Sequence, residues 1–201
     1  MKEVEAIKLH EYENDPAFRK AVNEYQNLCT IRRDLRKANY ICQHIIDLHN
    51  GLKSKEIRLS DVNEHIVLAS GAAMHAIVLY ARWFKATEGK TRLEPQSFFS
   101  CSSNLMKVHD GIILHRDKYI AHNQSDLLGG DSALLEFSED GSFQSLKCMF
   151  KEEFWFQNSK GDGLDMNAFQ ECIHVVHNKI DAELVPKAQW KLERQCRRFY
   201  K

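Results

Sequence analysis

The sequence predicts an all-α fold: a four-to-five-helix bundle with a small β-hairpin inserted before the last helix. Apolar residues recur at helical spacing over 15–50, 61–85, 97–122 and from 166 onward, and residues that start and stop helices bracket these stretches. The one departure, at about 132–156, reads as two strands about a turn signal. At 201 residues the chain can bury a full core and is short enough for one domain, so 1–201 is read as a single helical domain.

The first helix is expected from Asp15 to Asn50. Asn14 or Asp15 can cap its free amides, Pro16 suits the first turn, and Gly51 stands where a glycine ends a helix. Leu28, Ile31, Leu35, Ile41, Ile45 and Leu48 form its apolar stripe, with one slip near Asn39. A second helix begins at Ser60 or Asp61 and runs to about Lys85. It is apolar on nearly every side, with Ala69, Ser70, Gly71, Ala72 and Ala73 at its centre, which predicts the central helix of the bundle with a close neighbour there.

A loop rich in glycine, lysine and threonine leads to a third helix, from about Ser97 to His122, whose inner face carries Phe98, Leu105, Val108, Ile112 and Ile113. Beyond Asn123, Glu139-Asp140-Gly141 is a turn between two candidate strands, Ala133 to Phe137 and Phe143 to Phe150 or beyond. The last helix begins near Met166 with Phe169, Cys172, Ile173, Val176, Ile180 and Leu184 inward. Pro186 should kink or divide it before a basic tail.

Charge is balanced, 28 basic against 28 acidic residues, so no global field selects nucleic acid or membrane and any electrostatic partner must be recognised by a local patch. The six cysteines form no CxxC pair and fall mostly within apolar helical patterns, as reduced thiols used for packing do. No stretch approaches the roughly 20 apolar residues of a membrane span, and no leader-like start is present, so a cytoplasmic protein without a membrane partner is expected.

The densest chemistry lies in "HRDKYIAHN", residues 115–123. At about 100° per residue, His115, Tyr119 and His122 gather within roughly 40° on one face, while Arg116 sits about 120° from His122 and about 9 Å along the axis. Arg116 and His122 can flank one phosphate only if the arginine stem reaches around, the helix ends or bends before His122, or a second copy supplies the missing half.

The string "RDKYIAH" resembles the arginine-to-histidine motif of the HEPN superfamily, and its abortive-infection branch in particular. That resemblance implies a metal-independent endoribonuclease in phage defence or a toxin–antitoxin system, with Arg116 and His122 catalytic and Asp117 at the adjacent polar position. His115, Lys118, Tyr119 and Asn123 are the substrate-binding candidates. The family also implies a homodimer whose two motifs face one cleft, with RNA as substrate and a cognate antitoxin as a possible further partner; no cofactor or metal is expected.

Histidine titrates near neutral pH and can take the 2′-hydroxyl proton of RNA or give one to the departing 5′-oxygen. Arginine offers a planar charged fork for the phosphate oxygens. The same pair serves phosphate binding, so the alternative is a non-catalytic HEPN module that binds RNA, a nucleotide or a protein partner, its footprint extended by Arg32, Arg33, Arg36, Lys37 and the basic tail. A plainer reading makes 116–118 an exposed helix end with cations favoured by the macrodipole and His122 and Asn123 as caps.

Other clusters read as packing or surface. In "CIHVVH", His174 and His177 share a face but Cys172 and His174 lie about 200° apart. His44, His49, His65 and His75 lack carboxylate companions at ligand spacing. "KGDGLD" lacks the length and lysine placement of a phosphate-binding loop and reads as a linker.

Overall fold

Asp15 starts the first helix: its Oδ1 accepts from the backbone N–H of Ala17 at 2.8 Å and of Phe18 at 2.9 Å, and Pro16 takes the first helical position. The computed structural model describes residues 14–53, 62–85, 91–117, 132–137, 143–149 and 165–199. Helices dominate them: α1 (Pro16–Lys53), α2 (Val62–Ala81), a single turn α3 (Gln96–Phe99), α4 (Ser103–His115), α5 (Met166–Lys179) and α6 (Val185–Phe199). Strands β1 (Ser132–Phe137) and β2 (Phe143–Met149) lie between α4 and α5 and pair antiparallel, Ser132 opposite Met149, with an irregularity at Glu136–Phe137. The Glu139-Asp140-Gly141 turn lies outside the described residues.

The central helix is α1, not α2. At 38 residues it is about 57 Å long, and α2, α5 and α6 all pack along it. Its buried residues Leu28, Ile31, Leu35, Ala38, Cys42 and Ile45 repeat at three and four residues along the whole length, which gives it room for several neighbours. The helix also runs through Gly51 rather than ending there. An internal glycine costs only about 1 kcal/mol, less than the helix gains by continuing its hydrogen bonds.

The small patch of α2 divides. Ala69, Ala73 and Ala76 are buried, whereas Gly71 is exposed, and a Cβ built on it meets nothing within 4 Å. Close packing in α2 therefore rests on the alanines.

The third predicted helix is two pieces. After α3 the chain breaks at Ser100–Ser102, where extended Ser102 caps α4, its Oγ accepting from the Leu105 N–H at 3.3 Å. The α-helix is described to His115, Arg116 and Asp117 follow in a π-type turn, and the expected continuation to His122 lies outside the described residues. The inward stripe is Leu105, His109 and Ile112, with Phe98, Val108 and Ile113 only half-buried.

Asp165 caps α5, accepting from the Asn167 and Ala168 N–H groups at 2.9 and 3.1 Å, and Phe169, Cys172, Ile173 and Val176 are fully buried. The expected disturbance at Pro186 takes the form of a π turn, Ile180–Leu184, just upstream of it. Proline leaves the carbonyl four residues earlier without its N–H and crowds it, and the wider turn relieves both.

Tyr80, Phe99 and Phe169 are fully buried in the core. Burying an apolar side chain of this size contributes about 1.5–3 kcal/mol. Tyr80 meets Phe169 edge-on at 5.4 Å. Cys42 and Cys172 serve as small core residues; burial pushes each thiol up to about 12. No helix among the described residues is long and apolar enough to cross a membrane.

His109 and Asp34 are the buried polar residues among those described. His109 is satisfied within the core. A 2.9 Å hydrogen bond joins its Nδ1 to the Tyr80 hydroxyl, and the rings of Phe84 and Phe99 lie 4.5 and 5.3 Å away. Burial lowers its pKa, the charge of Asp110 opposing, so the fold holds it neutral. The unfolded chain takes up that proton near pH 6.5 and the folded chain does not, so stability must fall as pH drops through and below that value, by up to about 1.4 kcal/mol per unit. Burial depresses His115 and His177 with the same sign. Urea unfolding at pH 7.5 and 5.5 should show a lower midpoint at pH 5.5, and His109→Phe should reduce the difference.

Candidate functional site

Of the seven residues expected to form a site, the structure describes His115, Arg116 and Asp117; Lys118, Tyr119, His122 and Asn123 lie outside the described residues. The three stand at the end of α4. The backbone N–H of Arg116 still reaches the carbonyls of Ile112 and Ile113, so Arg116 itself keeps helical dihedrals and the helical hydrogen bond. A step of about 100° per residue thus applies through Arg116, and the separation of Arg116 from His122 lies outside the described residues.

Arg116 and Asp117 are brought together, Nη1 donating to Oδ1 at 2.9 Å. Lys85, a residue that the sequence marked only as the end of the second helix, donates to the other oxygen, Oδ2. One carboxylate therefore bridges two cations from different elements. All three side chains are about one third exposed. Burial pushes the Asp117 pKa upward, but the hydrogen bonds from Lys85 and Arg116 outweigh it and hold the carboxyl below its usual range, ionised at neutral pH. The trio keeps a net positive charge, as an anion-binding site requires.

Lys85 is held by its neighbours. The carboxylate of Asp34, on α1, is buried and accepts from Arg82 and, at 2.9 Å, from the Trp83 indole N–H. Arg82 lies over the Trp83 ring at 4.9 Å, and the Leu93 N–H donates to the Trp83 carbonyl at 2.7 Å. The turn at 82–85 is thereby tied to the central helix, and Lys85 extends from it toward the end of α4. No sequence signal marks this contact, because Lys85 and Asp117 are 32 positions apart.

His115 is half-buried, and burial lowers its pKa, so it stands neutral at pH 7. The basic cluster of α1 is partly committed to holding helices together: Arg32 pairs with Asp181 at 3.0 Å and Arg36 Nε donates to His177 Nε2 at 3.4 Å, while Arg33 and Lys37 are exposed. In "CIHVVH", Cys172 is buried with its thiol donating to the Leu105 carbonyl at 3.6 Å, and His174 is exposed. Among the described residues no three His, Cys, Asp or Glu side chains form a metal-binding group.

Two open grooves of about 780 and 790 Å³ flank the start of α1. Arg19, Lys20 and Asn23 line the first; Leu28, Phe98, Pro186 and the exposed Trp190 line the second. Lys85, Arg116 and Asp117 line neither.

Fold and site together define a helical protein with a carboxylate-bridged cation pair where one helix end meets the turn after another. Compared with protein-family models, curated proteins and solved structures, the chain matches none.

Proposed function

We propose that the chain is a HEPN-type endoribonuclease that cleaves RNA without a metal, by attack of the 2′-hydroxyl, in phage defence or a toxin–antitoxin system. The observation that carries this reading is the placement of Arg116 in a partly exposed cation cluster at the end of α4.

In this reading His122 takes the proton of the 2′-hydroxyl, the 2′-oxygen attacks phosphorus, and Arg116 stabilises the extra negative charge. The bond to the 5′-oxygen breaks, and that oxygen takes a proton from the same residue of a second copy. The products are a 2′,3′-cyclic phosphate and a 5′-hydroxyl. The homodimer, the cytoplasmic setting, the HEPN-type bundle and its hairpin insertion belong to the same proposal.

Single-stranded RNA incubated with the protein in excess chelator should yield fragments with cyclic phosphate ends. Binding that weakens steeply with salt, with no product over hours, would instead select the non-catalytic module. The engagement of Arg116 with Asp117 suits that anion-binding cradle as well as a reaction centre. Neither cleavage nor binding would remove both.

A further inference from the structure

We propose that Lys85 is a positioning residue: by occupying one carboxylate oxygen of Asp117, it leaves the Arg116 guanidinium free to engage a phosphodiester. The inference rests on reading Arg116 as the phosphate-binding cation. A guanidinium and a carboxylate left to themselves favour a two-pronged pair, two N–H groups on two oxygens, which would mask the edge that phosphate needs.

In this chain the two are adjacent in sequence, so the competing pair is always within reach. The structure divides the carboxylate: Oδ1 goes to Arg116 Nη1 at 2.9 Å, Oδ2 to Lys85 Nζ. Lysine suits this task because its ammonium is a compact point charge that holds one oxygen and makes no fork of its own. Its origin in the turn fastened through Arg82 and Trp83 to Asp34 keeps it at Oδ2 without help from the site. The depressed pKa of Asp117 agrees, since the carboxylate stays charged and would otherwise compete with substrate for Arg116.

The double variant Lys85→Met/Asp117→Asn separates this role from a merely structural one. Without Lys85 the carboxylate can take both prongs of Arg116; with the carboxylate also removed, no competitor remains. The first readout uses no RNA: the rate at which phenylglyoxal modifies Arg116 in the full chain, followed by mass spectrometry. Lys85→Met should slow it about fivefold, Lys85→Arg should leave it within about twofold, and the double variant should match Asp117→Asn alone. The second readout is RNA affinity in a His122→Ala background, which should follow the same order.

Unchanged Arg116 reactivity in Lys85→Met overturns the proposal, as does a double variant that stays as slow as the single one. Should Lys85→Met not fold, Lys85→Gln carries the same test. If reactivity follows the expected order while RNA is neither bound nor cut, Lys85 still holds the carboxylate off Arg116, but its service to a phosphodiester falls with the ribonuclease reading.

Discussion

Arg116→Ala is expected to lower RNA cleavage about 10²- to 10³-fold, and His122→Ala about 10²- to 10⁴-fold, measured as initial rates in chelator. The first loss follows from removing the planar cation that meets the charge developing on phosphorus, the second from removing the proton carrier. Arg116→Lys keeps a charge but not the fork and should fall between wild type and alanine. Loss of fold is not expected to imitate the arginine result, because among the described residues Arg116 makes one ion pair, partly exposed, with Asp117. Such pairs are worth less than about 1 kcal/mol, so the urea midpoint of Arg116→Ala should stay close to that of the wild type. Cleavage by both alanine variants at the wild-type rate would end the ribonuclease reading.

Local signals in the sequence were the ones that read correctly. Asp15 followed by Pro16 marks a helix start that depends on two neighbouring residues, and the structure makes the cap there. Pro186 disturbs its helix for an equally local reason. The failures are of another kind. Ser102 looks like a helix residue until its extended backbone and its bond to the Leu105 N–H are seen, although a serine three positions before a leucine on the apolar stripe was available as a cap signal. His109 interrupts an apolar face and becomes acceptable only because Tyr80, 29 positions away, supplies a buried partner. Choosing α2 as the central helix failed because hydrophobicity on all sides says that a helix is covered, not how many neighbours cover it; length decided in favour of α1.

The candidate site divides along the same line. The string singled out Arg116 and Asp117 as adjacent site residues, and the structure pairs them. Lys85 comes to the same carboxylate through tertiary packing, which no spacing rule reports. Which of the three routes joins Arg116 to His122 was not legible, because "HRDKYIAHN" contains neither proline nor glycine to mark a helix end or bend.

Asp34 should be the most costly polar residue of the described chain to remove, at about 3 kcal/mol for Asp34→Ala. Its side chain is 3% exposed and serves two donors, Arg82 and the indole N–H of Trp83. Removing one member of a buried ion pair costs about 3–5 kcal/mol because the other charge is left uncompensated. Arg82 is 36% exposed and can recover part of its hydration, which lowers the figure. Trp83 cannot: its residue is buried, and an orphaned donor costs about 1–3 kcal/mol. Asp34→Asn keeps an acceptor for the indole and loses only the charge, so about half the penalty should remain. Urea midpoints for the two variants should therefore fall in the order wild type, Asn, Ala. If Asp34→Ala unfolds within about 0.5 kcal/mol of wild type, the anchor is not holding the 82–85 turn, and a fixed origin for Lys85 must be given up with it. Because that turn carries Lys85 toward Asp117, the same variant under folding conditions should weaken RNA binding from a position that has no RNA contact in the proposed site.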